Sequence, residues 1–193
     1  MVVYNLLTKA VAKAYSLSLY PLQFGRFGKK SRIDKPLRID GKKNIEIGDH
    51  VSVQPFTWLA CVPLTGCDSP LLSIGDGTVI GNFNHIFATR RIVFENHVLT
   101  ADKVYISDNL HDYSNPDIHI LQQPIKQIGE VRIGEGSWLG ENVCVIGASI
   151  GKHCTIGANS VVTHDIPDYS VAVGSPARVI KQYNFETKQW EKR

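Results

Sequence analysis

The sequence holds no uncharged apolar run near the roughly 20 residues that a membrane-spanning helix needs. Its first residues also fall short of a secretory leader. Lys9 and Lys13 interrupt the apolar stretch, and no clear small-residue cleavage site follows. Cysteine is scarce, and Cys61, Cys67, Cys144 and Cys154 show no metal-ligand spacing. Cys61 and Cys67 flank a Pro/Gly turn, but nothing suggests an oxidising compartment, so both are expected to stay reduced. Charge of one sign is also lacking. A net +3 over 193 residues is too little to argue for a nucleic-acid partner. Together these absences point to a cytoplasmic protein.

What the chain does have is a short repeat. Between residues 128 and 162 an aliphatic residue followed by a small one returns about every six positions: Ile128-Gly129, Ile133-Gly134, Leu139-Gly140, Ile150-Gly151, Ile156-Gly157. An amphipathic helix would place apolar residues at i, i+3, i+4 and i+7, and a two-sided strand would alternate; neither fits. One inward aliphatic per six residues suits a coil of short flat sides. Glycine, Asn and Asp then serve corners that need positive φ. Three sides make a turn of roughly 18 residues, and each turn leaves its backbone edges open until another stacks on it.

Residues 1–38 read as an N-terminal amphipathic helix and a basic, irregular leading segment. Within 2–20, Val3, Leu6, Leu7, Ala10, Ala14 and Leu17 share one face, and Asn5, Lys9, Lys13 and Ser16 the other. Packing on the scaffold or on a neighbouring subunit is the first reading. Peripheral contact with a membrane surface, helped by Tyr4, Tyr15 and Tyr20, is the second. Pro21 is expected to end the helix. The repeat domain is placed at 39–182, starting at Ile39, with loops at 61–70 and 107–124. Residues 183–193 are expected to form a short helix or tail docked by Phe185 and Trp190. A repeat scaffold tolerates insertions only at corners, and such loops usually carry binding function.

Histidines sort by the repeat. His50, His97 and His153 occupy one equivalent corner slot and read as solvated turn residues. His111 lies in the second interruption among Ser107, Asp108, Asn109, Asp112, Tyr113, Ser114 and Asn115. A general base needs a pKa near working pH and freedom from a purely structural task, and His111 suits this best. Either Asp108 or Asp112 could fix its tautomer; the sequence does not rank them.

Four stretches carry a family resemblance. They are Asn82-Phe83-Asn84, His111-Asp112-Tyr113, Ser137-Trp138-Leu139-Gly140, and Ile156 to Pro167 followed by Gly174-Ser175-Pro176-Ala177-Arg178-Val179-Ile180. In order and spacing they resemble the hexapeptide-repeat acyltransferases, in the branch of sugar O-acetyltransferases that includes galactoside, maltose and capsular polysaccharide enzymes. The resemblance implies an all-β, left-handed parallel β-helix, a homotrimer with its sites between subunits, and acetyl-CoA as donor without a metal. It also implies His111 as general base and Asn84 as an acceptor contact. Trp138, Gly140, Glu141 and Ala158 would line the thioester and pantetheine groove, with Thr163, His164 and Arg178 near the nucleotide end. Two departures stand out. His164 replaces the family's usual lysine, and Val145 to Ile150 is one residue shorter than the usual form.

Rival readings remain. N-acetylation of an amino sugar or serine acetylation would use the same machinery. A γ-type carbonic anhydrase would need paired metal histidines that are missing near His85 and His111. A non-catalytic trimeric scaffold would not need the His111 loop.

Overall fold

The computed structural model describes Ala10, Ala14, Tyr15 and residues 18–193, so the helix expected over 2–20 falls largely outside it. From Arg26 onward the chain winds as a parallel coil with three faces. Face A stacks Arg26–Phe27, Ile45–Ile47, Leu71–Ile74, Arg91–Phe94 and Val131–Ile133, and isolated bridges extend it through Ile150 to Ile166. Face B stacks Arg32–Ile33, Ser52–Val53, Val79–Ile80, Leu99–Thr100, Trp138–Leu139, Thr155–Ile156 and Ser170–Val173. Face C stacks Arg38–Asp40, Trp58–Cys61, His85–Ala88, Tyr105–Ser107, Cys144–Ile146 and Val161–Val162.

The register puts like on like. Ile47, Ile74, Phe94 and Ile133 lie directly above one another on face A, and Leu59, Ile86, Ile106, Val145 and Val162 on face C. All are buried. Each contributes about 1.5–3 kcal/mol relative to an exposed side chain, so the inward columns are the main source of stability.

Corners explain the small residues, though not as φ alone would. The left-handed backbone falls on His50, Gly77, His97, Gly136 and His153, the equivalent corner positions that include the three slot histidines. The glycines that follow the inward aliphatics have a different task. A Cβ on Gly48 would lie 2.3 Å from the Asp76 carboxylate, and one on Gly75 would lie 2.6 Å from the Glu95 carbonyl carbon. Those carboxamides and carboxylates bind the coil below. Asp76 Oδ1 accepts from the Asp49 N–H at 2.7 Å, and Asn96 Oδ1 from the Asp76 N–H at 2.9 Å.

Three expectations need correction. The coil starts at Arg26 rather than Ile39, because the basic segment 22–38 supplies one strand to each face. Pro21 does not terminate helical structure; it lies in the first turn of the helix Tyr20–Gln23, where a missing N–H costs nothing. Residues 183–193 are neither helix nor loose tail. Arg178–Asn184 folds back antiparallel on Ser170–Val173 and pairs with Gln189–Lys192 as a hairpin. Its aromatics do dock: Phe185 meets the Tyr169 ring at 4.8 Å, and Trp190 meets Tyr183 at 5.5 Å. All four cysteines are free, and Cys61 and Cys154 are buried. Among the described residues no helix is long and apolar enough to cross a membrane.

Candidate active site

Both interruptions of the repeat leave from one edge, the corner between faces C and A. Residues 62–70 link Trp58–Cys61 to Leu71–Ile74 there. Two coils later the chain leaves the same edge as an antiparallel arm. Its stem pairs Asn109–His111 with Ile125–Gln127, and its tip spans 112–124. His111 is the last residue of the outgoing strand, opposite Ile125.

The arm is rooted in Asp108, which is fully buried. Its carboxylate accepts from the backbone N–H groups of Thr89, Arg90 and Arg91 at 2.8–3.1 Å and from Asn109 Nδ2 at 2.9 Å, and the Thr89 hydroxyl lies 3.0 Å from it. Every lone pair is in use, so Asp108 is not the tautomer partner of His111. Asp112 is also occupied. Its carboxylate caps the arm's first turn by accepting the Ser114 N–H at 3.0 Å, and that bond holds its pKa below the ordinary value. The His111 side chain is exposed, and among the described residues nothing hydrogen-bonds its ring.

Asn84 is bound into the scaffold. It is buried at 1% exposure, with Nδ2 donating to the Ala101 carbonyl at 2.8 Å and the Asn82 carbonyl at 3.2 Å. Its Oδ1 accepts the Thr100 hydroxyl at 2.9 Å. The side-chain amide is engaged in closing a corner. The next residue, His85, points outward from face C. It stacks flat on Trp58 at 4.2 Å and meets Tyr105 edge-on at 5.2 Å. Its Nε2 is buried without a partner among the described residues, and burial lowers its pKa.

The residues that the resemblance assigns to the donor divide between two edges. Trp138, 47% exposed, stands on face B beside Leu99 and Thr155. Gly140, Glu141 and Ala158 form the neighbouring corner between faces B and C. There the Gly140 N–H already donates to the Ile156 carbonyl at 2.8 Å, and Glu141 pairs with Lys103 at 2.9 Å. Arg178 is exposed at the foot of the C-terminal hairpin. Thr163 and His164, joined at 3.0 Å, instead lie at the C–A edge, as His111 does. A face C strand of three residues, roughly 10 Å at about 3.3 Å per residue, separates the two edges within one chain.

Sequence reasoning missed Thr65, Thr89 and Gln127, which connect the two loops, and Leu99 beside Trp138. The usable signal was the corner habit of Asp and Asn. Asp49, Asp76, Asn96, Asp102 and Asp168 all bind backbone N–H groups from corner positions, and Asp108 is one more. A cavity of about 860 Å³ lies under the C-terminal hairpin against Lys152, Tyr169 and Phe185, away from His111. His111 itself stands on an open edge.

Residues 130–164 match the model for the hexapeptide repeat of succinyl-transferase. WbbJ of Escherichia coli strain K12, named as an O-acetyl transferase of lipopolysaccharide biosynthesis, is 37% identical over 130 residues, 63% of this chain and 66% of WbbJ. A galactoside O-acetyltransferase of Lactococcus lactis is 34% identical over 141 residues, 72% of this chain and 63% of that one. The chain thus spans just under two thirds of each relative's length. AntD, an N-acyltransferase from Bacillus cereus solved with dTDP and 3-hydroxybutyryl-CoA, overlays with a TM-score of 0.73 at 21% identity, covering 89% of both chains. At that identity the overlay speaks for the fold, a left-handed parallel β-helix. Repeat, coil and kinship agree, and the chain belongs to the hexapeptide-repeat acetyltransferase family.

Proposed function

We propose that the protein is an acetyl-CoA-dependent O-acetyltransferase acting on a hydroxyl of a sugar or glycan precursor. The observation that carries this is His111: an exposed imidazole, free of structural bonds, held at the end of a rooted strand in a chain akin to sugar O-acetyltransferases. In direct transfer the acceptor oxygen attacks the thioester carbonyl carbon while His111 takes the hydroxyl proton. The tetrahedral adduct then collapses, the C–S bond breaks, and the CoA sulfur leaves with the proton returned from the imidazolium. Such base catalysis contributes typically ~10² to 10⁴-fold. An oxyanion donor adds a few kcal/mol. The Gly140 N–H is committed to coil stacking, which leaves the adjacent Glu141 amide as the candidate.

The split between edges supports a site shared by subunits. His111 lies on one edge of face C and the Gly140-Glu141 corner on the other, so a neighbouring copy in a homotrimer would bring the two together. Trp138 and Ala158 would line the pantetheine channel, and Thr163, His164 and Arg178 would approach the nucleotide. An amino-sugar nitrogen could replace the hydroxyl without changing these roles.

The test is thioester cleavage with acetyl-CoA and a panel of sugars and amino sugars, wild type against His111→Ala. Loss of about 10³-fold in kcat with an unchanged trimer mass supports the reading; equal turnover in both proteins ends it.

A further inference from the structure

Among the buried described residues, Asp108 is the sole charged side chain. It sits where the arm departs. Other corners on the same edge close without a buried carboxylate: 147–149 uses Gly147 and Ala148, and the Asp165 carboxylate that binds the Ser149 N–H is exposed. Gln127, at the arm's return, completes the root. Its Nε2 donates to the carbonyls of Asp108 at 2.9 Å and Gly129 at 3.1 Å. Its Oε1 accepts the Thr65 hydroxyl at 3.0 Å from the other loop. The Thr89 hydroxyl lies 3.0 Å from Asp108 Oδ1 and 3.1 Å from Gln127 Oε1, and donates to one of them.

We propose that Asp108 and Gln127 are positioning residues that clamp the His111 arm to the 62–70 loop, so that the base and the loop beside it hold one geometry. This rests on the reading of His111 as the base. A stem of three paired residues is too short to orient itself, since an isolated two-stranded hairpin is marginal in water. Its direction is therefore set at the root. The root is built for precision. Asp108 draws three consecutive backbone amides of the preceding coil onto one carboxylate, and Gln127 joins the two loops through Thr65. Transfer depends on that placement, because a misplacement of about 1 Å can lower the rate about 10²-fold. Thr65 thereby becomes a specificity-determining position: it ties the loop that would face the acceptor to the strand Ile125–Gln127, which pairs with the one that carries the base.

The experiment measures kcat, both KM values and residue-resolved amide exchange for Asp108→Asn and Thr65→Val. In Asp108→Asn an amide NH₂ replaces one oxygen and opposes the backbone N–H groups. We expect kcat to fall about 10²-fold with the acetyl-CoA KM within about twofold. Amides of 109–127 should exchange faster while the inward coils keep their protection. Thr65→Val removes one hydroxyl from a half-buried loop position and keeps the fold. It should raise the acceptor KM about 3–10-fold and leave kcat and the acetyl-CoA KM unchanged. The proposal is overturned if coil and arm amides loosen together, so that activity merely follows the folded fraction. It is equally overturned if the arm loosens with no change in kcat, or if Thr65→Val is silent. Should the wild type transfer acetyl to no acceptor, the His111 reading fails, and exchange confined to 109–127 still decides the clamp.

Discussion

Removing the Asn84 side chain separates two accounts of one residue. If Asn84 contacts the acceptor, Asn84→Ala should spare stability and lower activity. The geometry predicts the reverse. The alanine variant loses the bonds at 2.8 and 3.2 Å to the Ala101 and Asn82 carbonyls and the bond at 2.9 Å from Thr100. It also leaves the Thr100 hydroxyl and the Ala101 carbonyl facing a small dry gap. A buried polar group deprived of its partner costs about 1–3 kcal/mol. Asn82 is half-buried and can turn to water, so two groups count, and the total is about 2–6 kcal/mol. For a chain of this length, each kcal/mol lowers Tm by about 2–4 °C, which gives a fall of about 4–24 °C. Thermal denaturation by circular dichroism reads the shift. Steady-state kinetics well below the transition should find kcat/KM per folded molecule within about twofold of wild type. A variant with wild-type Tm and a large loss of activity would refute the structural assignment and return Asn84 to the acceptor.

Gly75→Ala keeps an ordinary φ but sets a methyl 2.6 Å from the Glu95 carbonyl carbon, so it should destabilise by about 1–3 kcal/mol in urea titration; an unchanged midpoint would show that the coils can spread. Burial pushes the Cys61 thiol up to about 12, so at pH 8 only ~10⁻⁴ of it is thiolate, and iodoacetamide should label it only on unfolding. The sign follows: because the folded pKa lies above the ordinary 9.0, the stability linked to Cys61 is intact below 9.0 and declines as pH rises towards about 12. Trp138 is 47% exposed and supports little of the core, so Trp138→Ala should raise the acetyl-CoA KM about 5–50-fold with Tm shifted by less than about 2 °C. A drop in Tm without a change in KM would place Trp138 in a structural contact instead.

The repeat made the fold legible because each inward position reports itself. Ile74, Ile92 and Ile133 must be branched and apolar whatever surrounds them, so period and face follow from composition alone. Both interruptions and His111 could be read for the same reason, since they break the period. The coil's start escaped, because Arg26–Phe27 and Arg32–Ile33 carry outward arginines that mask their inward neighbours. The C-terminal hairpin escaped as well. Its seven-residue strand has no fully buried side chain and is specified by pairing with Ser170–Val173 rather than by a buried face of its own.

Sequence by itself therefore determined the stacked coil, the placement of its two insertions and the candidate base. It could not decide what polar side chains at the corners are for. Asp108, Asp112 and Asn84 look alike as polar residues where one side of the repeat ends or begins. Tertiary structure separated them by counting donors and acceptors: Asp108 is saturated by the preceding coil, Asn84 is engaged mainly by the following coil, and Asp112 is held by the Ser114 turn. Hydrogen-bond partners of a buried polar group come from neighbouring coils some 20 residues away, and no local pattern along the chain encodes which coil will supply them.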